Sequence, residues 1–144
     1  MELRVLLVLG VLLLAGALGI VWRARNGRFA AAHPGAATAV LTPADLGAPL
    51  GRRATFVQLS SATCAPCRST ASVLGELAAA DAGLAHVELP AEERLDLVRR
   101  FDVRRTPTVL VLDRAGAVRG RMSGATTRAQ ALAALDPTSG RTPA

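Results

Sequence analysis

From Val5 to Trp22 the chain runs for eighteen residues without a charged side chain, and this run limits what the chain can fold into. Leu, Val, Ala and Gly dominate it, and no polar face appears at helical spacing. This disfavours a buried helix of a soluble core. A helix of 18–20 residues is about 27–30 Å long, close to the hydrocarbon thickness of a bilayer. Trp22 closes the run, where an amphipathic ring suits the membrane–water interface, and Arg23, Arg25 and Arg28 follow. Residues 3–22 read as a transmembrane helix. A cleaved signal peptide is the competing reading, because Ala15-Gly16-Ala17 offers a small-residue cleavage site. The apolar run continues past that site and ends in a basic cluster, which favours an anchor.

Charge also gives the orientation. One Arg precedes the run and three follow it by position 28, and positive residues are retained on the cytoplasmic side. A single-pass protein of the cell membrane with its domain in the cytoplasm is expected, with the extracytoplasmic topology as the alternative.

What remains of the 144 residues is enough for one domain of ordinary size. Net charge is +6 and every basic residue is Arg. These Arg residues are scattered among Asp and Glu without aromatic partners, so no nucleic-acid partner is expected. The two cysteines are too few for a disulfide-stapled scaffold and half of a four-thiolate zinc site. His33 and His86 do not complete a zinc spacing with them, and no metal is expected.

Residues 23–38 carry Asn26-Gly27 and His33-Pro34-Gly35 with no convincing period, and read as a linker. A domain is expected over 39–136. It starts with a short helix, with Thr42 as N-cap and Pro43 in first position, ending near Gly47. Ala54–Leu59 reads as a strand, Arg68–Ala80 as a helix with apolar spacing close to 3.6, and Leu84–Leu89 as a second strand. Glu92–Phe101 reads as a helix, and Thr108–Leu112 as a central, fully apolar strand. Asp113-Arg114-Ala115-Gly116 is a hairpin turn to Ala117–Met122, and Thr126 or Thr127 caps a last helix to Leu135. Residues 137–144 read as a disordered tail. The order predicts an α/β fold, a mixed sheet with helices on both faces.

Cys64-Ala65-Pro66-Cys67 falls where a strand hands over to a helix. Unpaired backbone N–H groups and the helix dipole favour an anion there, and the thiolate is the nucleophilic form of cysteine. Arg68 adds positive charge. Two intervening residues bring Cys67 within bonding reach of Cys64, and Pro66 suits a first turn. The pattern predicts thiol–disulfide exchange, in which Cys64 attacks and Cys67 resolves the mixed disulfide.

Over roughly residues 40–136 the chain resembles the thioredoxin family, in particular its membrane-anchored, TlpA-like members. Phe56-Val57-Gln58-Leu59 precedes Cys-Ala-Pro-Cys at the family's spacing. Phe101-Asp102-Val103-Arg104-Arg105-Thr106-Pro107-Thr108 is similar to the family's segment leading into its cis-proline, and an apolar strand, a Gly-containing hairpin and Gly124 follow. The resemblance implies a thioredoxin-like fold with Pro107 in cis beside the cysteines, and a Thr106 backbone that binds the substrate chain. It implies no cofactor beyond a redox-active Cys64–Cys67 disulfide. Its expected partners are protein disulfide substrates, an upstream thiol electron donor and, through the amino-terminal helix, the membrane.

Two positions depart from the family. Thr63 stands where Trp is usual, and Gln58 stands where a buried Asp is usual. A neutral amide is no general base: either another group deprotonates Cys67, with Glu88 on the neighbouring strand a candidate, or water does, or turnover is slow. The expected function is protein-disulfide reduction or exchange at the membrane. The alternatives are a thioredoxin-fold adaptor with little redox activity and an exported reductase for cytochrome c maturation.

Overall fold

The computed structural model describes residues 2–32 and 39–136. Helix α1 spans Glu2–Arg25. Its stretch Leu3–Trp22 is long and apolar enough to cross a membrane, and none of it is buried against the rest of the chain. The elements that follow are β1 (Phe29–Ala31), α2 (Pro43–Leu46), β2 (Ala54–Ser60), α3 (Ala65–Ala80) and β3 (Leu84–Pro90). Then come α4 (Leu95–Arg100), β4 (Thr108–Asp113), β5 (Val118–Ser123) and α5 (Arg128–Ala134).

The strands form one mixed sheet in the order β1-β5-β4-β2-β3. β2 and β3 are parallel, whereas β4 runs antiparallel to both β2 and β5. Alternate side chains of a strand face opposite sides of the sheet, and here both sides are covered. Val57, Leu59, Leu110 and Leu112 point into a core completed by Leu41, Leu46, Leu97 and Phe101 from the α2 and α4 side. Phe56, Val109 and Val111 point the other way, onto Leu74, Leu77, Ala131 and Ala134 of α3 and α5. Burial on two faces is why β4 is apolar at every position from Val109 to Leu112.

Local chemistry sets several element ends. Thr42 caps α2 through a reciprocal pair: Asp45 N–H donates to Thr42 Oγ1 at 3.3 Å, and Thr42 N–H donates to Asp45 Oδ2 at 2.7 Å. Gly47 ends that helix in the left-handed region at φ 65°. Thr127, not Thr126, is the N-cap of α5. Helix α3 begins at Ala65, a turn earlier than apolar periodicity alone marks it, because the cysteine motif itself forms the first turn.

The linker reading of residues 23–38 needs correction. Helix α1 continues to Arg25, and Phe29–Ala31 is an edge strand paired antiparallel with β5, Phe29 opposite Met122 and Ala31 opposite Gly120. A three-residue strand has no period of its own to read; the free edge of β5 recruits it. Gly120 makes this possible, since a Cβ there would collide with the Phe29 ring and the Ala30 carbonyl. The linker expected over 33–38 and the tail expected over 137–144 lie outside the described residues.

Candidate active site

The site lies at the end of the sheet where β2 finishes and β4 begins. Cys64 is the N-cap of α3, in extended conformation, and is bonded to Cys67 with a Cα–Cα separation of 5.2 Å. The Cys67 N–H points back at Cys64 Sγ, 3.2 Å away. This donor and the positive end of the α3 dipole favour negative charge on that sulfur once the pair is reduced. The two thiols differ in access: Cys64 is half-buried, whereas Cys67 is buried. The accessible sulfur is therefore also the one stabilised as an anion.

Beneath Cys67 lies a polar network that spacing along the chain does not reveal. Gln58, fully buried in β2, donates through Nε2 to the Cys67 carbonyl at 2.9 Å and to Ser60 Oγ at 2.8 Å. Ser60 donates in turn to Glu88 Oε1 at 2.6 Å, and Gln58 Nε2 lies 3.3 Å from the same oxygen. On the other side of the amide, His86 Nε2 is 3.2 Å from Gln58 Oε1. With Gln58 donating through its nitrogen, His86 must supply the proton of that bond. Burial pushes the His86 pKa below its ordinary value, an effect that the nearby Glu88 carboxylate partly offsets. Ser60 and His86 are functional candidates that sequence reasoning missed. The available signal was parallel register, which places residues 58 and 60 beside 88 and 90.

Cys67, Ser60, Glu88, Arg68 and Glu92 share a cavity of about 670 Å³ open to solvent. A hydrogen bond from the Ser61 side chain holds the Glu92 carboxyl below the usual range. Among the described residues no group of three or more His, Cys, Asp or Glu side chains is arranged to hold a metal ion.

The Thr106–Pro107 peptide bond is cis. Pro107 is buried, and its carbonyl accepts from Gly124 N–H at 2.7 Å. Thr106, Pro107 and Pro66 of the cysteine motif line one cleft of about 370 Å³. The structure thus brings the motif and the Thr106–Pro107 loop together on one surface, although they are about forty residues apart in the chain. Another cleft, of about 490 Å³ with Arg53, Asp113 and Arg119 in its wall, lies at the opposite end of the sheet and contains neither cysteine.

Comparison with known proteins agrees with this arrangement. A family model described as a thioredoxin-like domain matches residues 45–138. No curated protein matches the chain. Among solved structures, thioredoxin NaTrxh from Nicotiana alata is similar with a TM-score of 0.50 and 23% identity, over 56% of this chain and 69% of that one. Thioredoxin from Fasciola hepatica is similar with a TM-score of 0.52 and 20% identity, over 59% of this chain and 80% of that one. At such identities these structures speak for the fold.

Proposed function

The chain belongs to the thioredoxin-like family, and on that premise we propose that it is a membrane-anchored thiol–disulfide oxidoreductase, with Cys64 as attacking and Cys67 as resolving thiol. The observation that carries this reading is the Cys64–Cys67 bond at the first turn of α3, with the outer sulfur accepting the Cys67 N–H.

The cycle begins from the reduced pair. The Cys64 thiolate attacks one sulfur of a substrate disulfide, forming a Cys64–substrate bond and releasing one substrate thiolate. Cys67 loses its proton and attacks Cys64 Sγ, which restores the Cys64–Cys67 bond and releases the second substrate thiolate. Two electrons pass to the substrate, whose thiolates take up two protons. A thiol donor upstream then reduces the pair by the reverse exchange. Thr106, at the rim of the cleft, offers its backbone to the substrate chain: among the described residues its N–H and C=O make no hydrogen bond.

Gln58 cannot take the Cys67 proton. Glu88 can. Its carboxylate joins, through Gln58 and Ser60, the network that touches Cys67, and it shares the cavity with that residue. We assign it as the proton acceptor of the resolving step.

Leu3–Trp22 is the anchor in this reading, and the three Arg after it support a cytoplasmic domain over the extracytoplasmic alternative. A reporter fused after Ala144 that works only outside the cytoplasm should stay silent; its activity would reverse the topology. The chemistry is tested with the full chain in vesicles and a disulfide-bonded substrate. Cys64→Ser should abolish reduction, and Cys67→Ser should accumulate a mixed disulfide. Absence of exchange with every disulfide and thiol donor tried would refute the reading.

A further inference from the structure

The apolar helix does not hang from the domain on a loose tether. Only Asn26, Gly27 and Arg28 separate α1 from β1. Gln130 Nε2 of α5 donates to the Asn26 carbonyl at 2.8 Å, and Gly27 N–H donates to the Ser123 carbonyl at 3.0 Å. Gly27 is buried with φ +70°, and a Cβ at this position would run into the Ala125 carbonyl and Gln130 Oε1. The junction is therefore seated on the end of β5 and on α5. Gly124, next along the chain from Ser123, donates to the Pro107 carbonyl at 2.7 Å and lies against the Asn26 side chain. The foot of the apolar helix and the cis-proline thus meet at the neighbouring residues Ser123 and Gly124: the helix foot touches both, and Pro107 is bonded to Gly124.

The cleft formed by Pro66, Thr106 and Pro107 accordingly has Trp22 and Asn26 among its lining residues. Trp22 remains 66% exposed, so it borders the cleft without being packed into the domain. An interfacial Trp marks the headgroup level of a bilayer. From Trp22 to Asn26 is about 6 Å of helical rise, so the cleft opens within roughly 10 Å of that level. Pro66 puts the cysteine motif at the wall of this cleft, so a substrate cysteine that meets the motif must come to about the same height. A soluble globular substrate would have to press its bulk into the headgroups. A chain that has just left the bilayer arrives beside α1 already at that height.

We propose that the preferred substrates are disulfides in the juxtamembrane segments of integral membrane proteins. The proposal deepens the anchored-oxidoreductase reading, rests on it, and holds for either topology. The exchange is the one written above: the Cys64–Cys67 bond forms, the substrate disulfide breaks, and two electrons pass to the substrate.

The test uses the full chain in lipid vesicles with two synthetic substrates. Each is a membrane-spanning helix followed by the same disulfide loop, after a spacer of about three residues in one and about thirty Gly/Ser residues in the other. Both are confined to the membrane, so surface concentration is equal and only reach differs. The short-spacer substrate should be reduced roughly tenfold faster or more. Inserting about twenty Gly/Ser residues after Arg23 lifts the domain away; it should bring the two rates together while leaving reduction of a small soluble disulfide unchanged. Equal rates with the uninserted chain, or a preference that survives the insertion, would overturn the proposal. Extraction of the chain from vesicles by carbonate would remove the anchor and the proposal with it. Failure to reduce even the small soluble disulfide is a different result: it refutes the oxidoreductase reading on which the proposal stands.

Discussion

Gln58 and Glu88 sit directly opposite each other in the parallel β2–β3 pair, and Gln58 Nε2 approaches Glu88 Oε1 at 3.3 Å while also donating to the Cys67 carbonyl. A neutral, fully buried amide thus stands between Cys67 and a carboxylate at the solvent edge. The amide holds the geometry, and in the proposed cycle the carboxylate takes the proton.

Glu88→Gln keeps the size of the side chain and its hydrogen bond from Ser60 but removes the base. Resolution of the Cys64 mixed disulfide should slow by about tenfold to a hundredfold near pH 7. The deficit should shrink as pH rises toward the ordinary thiol pKa of about 8.5, where solvent ionises Cys67 unaided. Stopped-flow rates across pH give the profile; a deficit of constant size at every pH would argue against proton transfer through Glu88.

Gln58→Leu should act on stability. It leaves the buried Cys67 carbonyl and Ser60 hydroxyl short of a donor and strands His86 on the other side. An unsatisfied buried polar group costs about 1–3 kcal/mol, so the denaturant midpoint should fall by a corresponding amount with little change in slope.

His86 makes folding sensitive to mild acid. Burial lowers its pKa in the folded chain, so the unfolded chain binds the proton first. The His86 contribution is fully present above the unfolded value of about 6.5 and is lost as pH falls from there toward the lowered folded value. The native chain should lose stability between pH 7 and pH 5, and His86→Gln should flatten that part of the curve. An equal loss in both chains would place the acid sensitivity elsewhere.

Gly120→Ala tests how β1 is held. The added methyl group would meet the Phe29 ring and the Ala30 carbonyl. Strand β1 should separate from β5, and amide exchange at Phe29–Ala31 should rise strongly while β2 and β4 stay protected. Unchanged protection at Phe29–Ala31 would mean that the edge strand accommodates the methyl group.

Much of this architecture was legible along the chain because its signals are local. The eighteen uncharged residues, Thr42-Pro43 at the start of α2, the apolar run of β4 and the Cys-x-x-Cys at a strand–helix boundary each carry their meaning within one element. Strand β1 was not legible, because its reason to exist lies ninety residues away, in the free edge of β5 and the missing side chain of Gly120. Ser60 and His86 were missed for the same reason: each is ordinary in its own strand and matters through the register with the strand beside it.

The sequence by itself determined the apolar helix, the alternation of strands and helices and the pair of cysteines, since spacing and polarity decide these within a few residues. Only the tertiary structure decided which groups surround that pair. Parallel register set Glu88 beside Gln58 beneath Cys67, and hydrogen bonds from Gly27 and Gly124 brought the foot of the helix to Pro107. Contacts between residues far apart in the chain exist only once strands pair and loops close, and no local period records them.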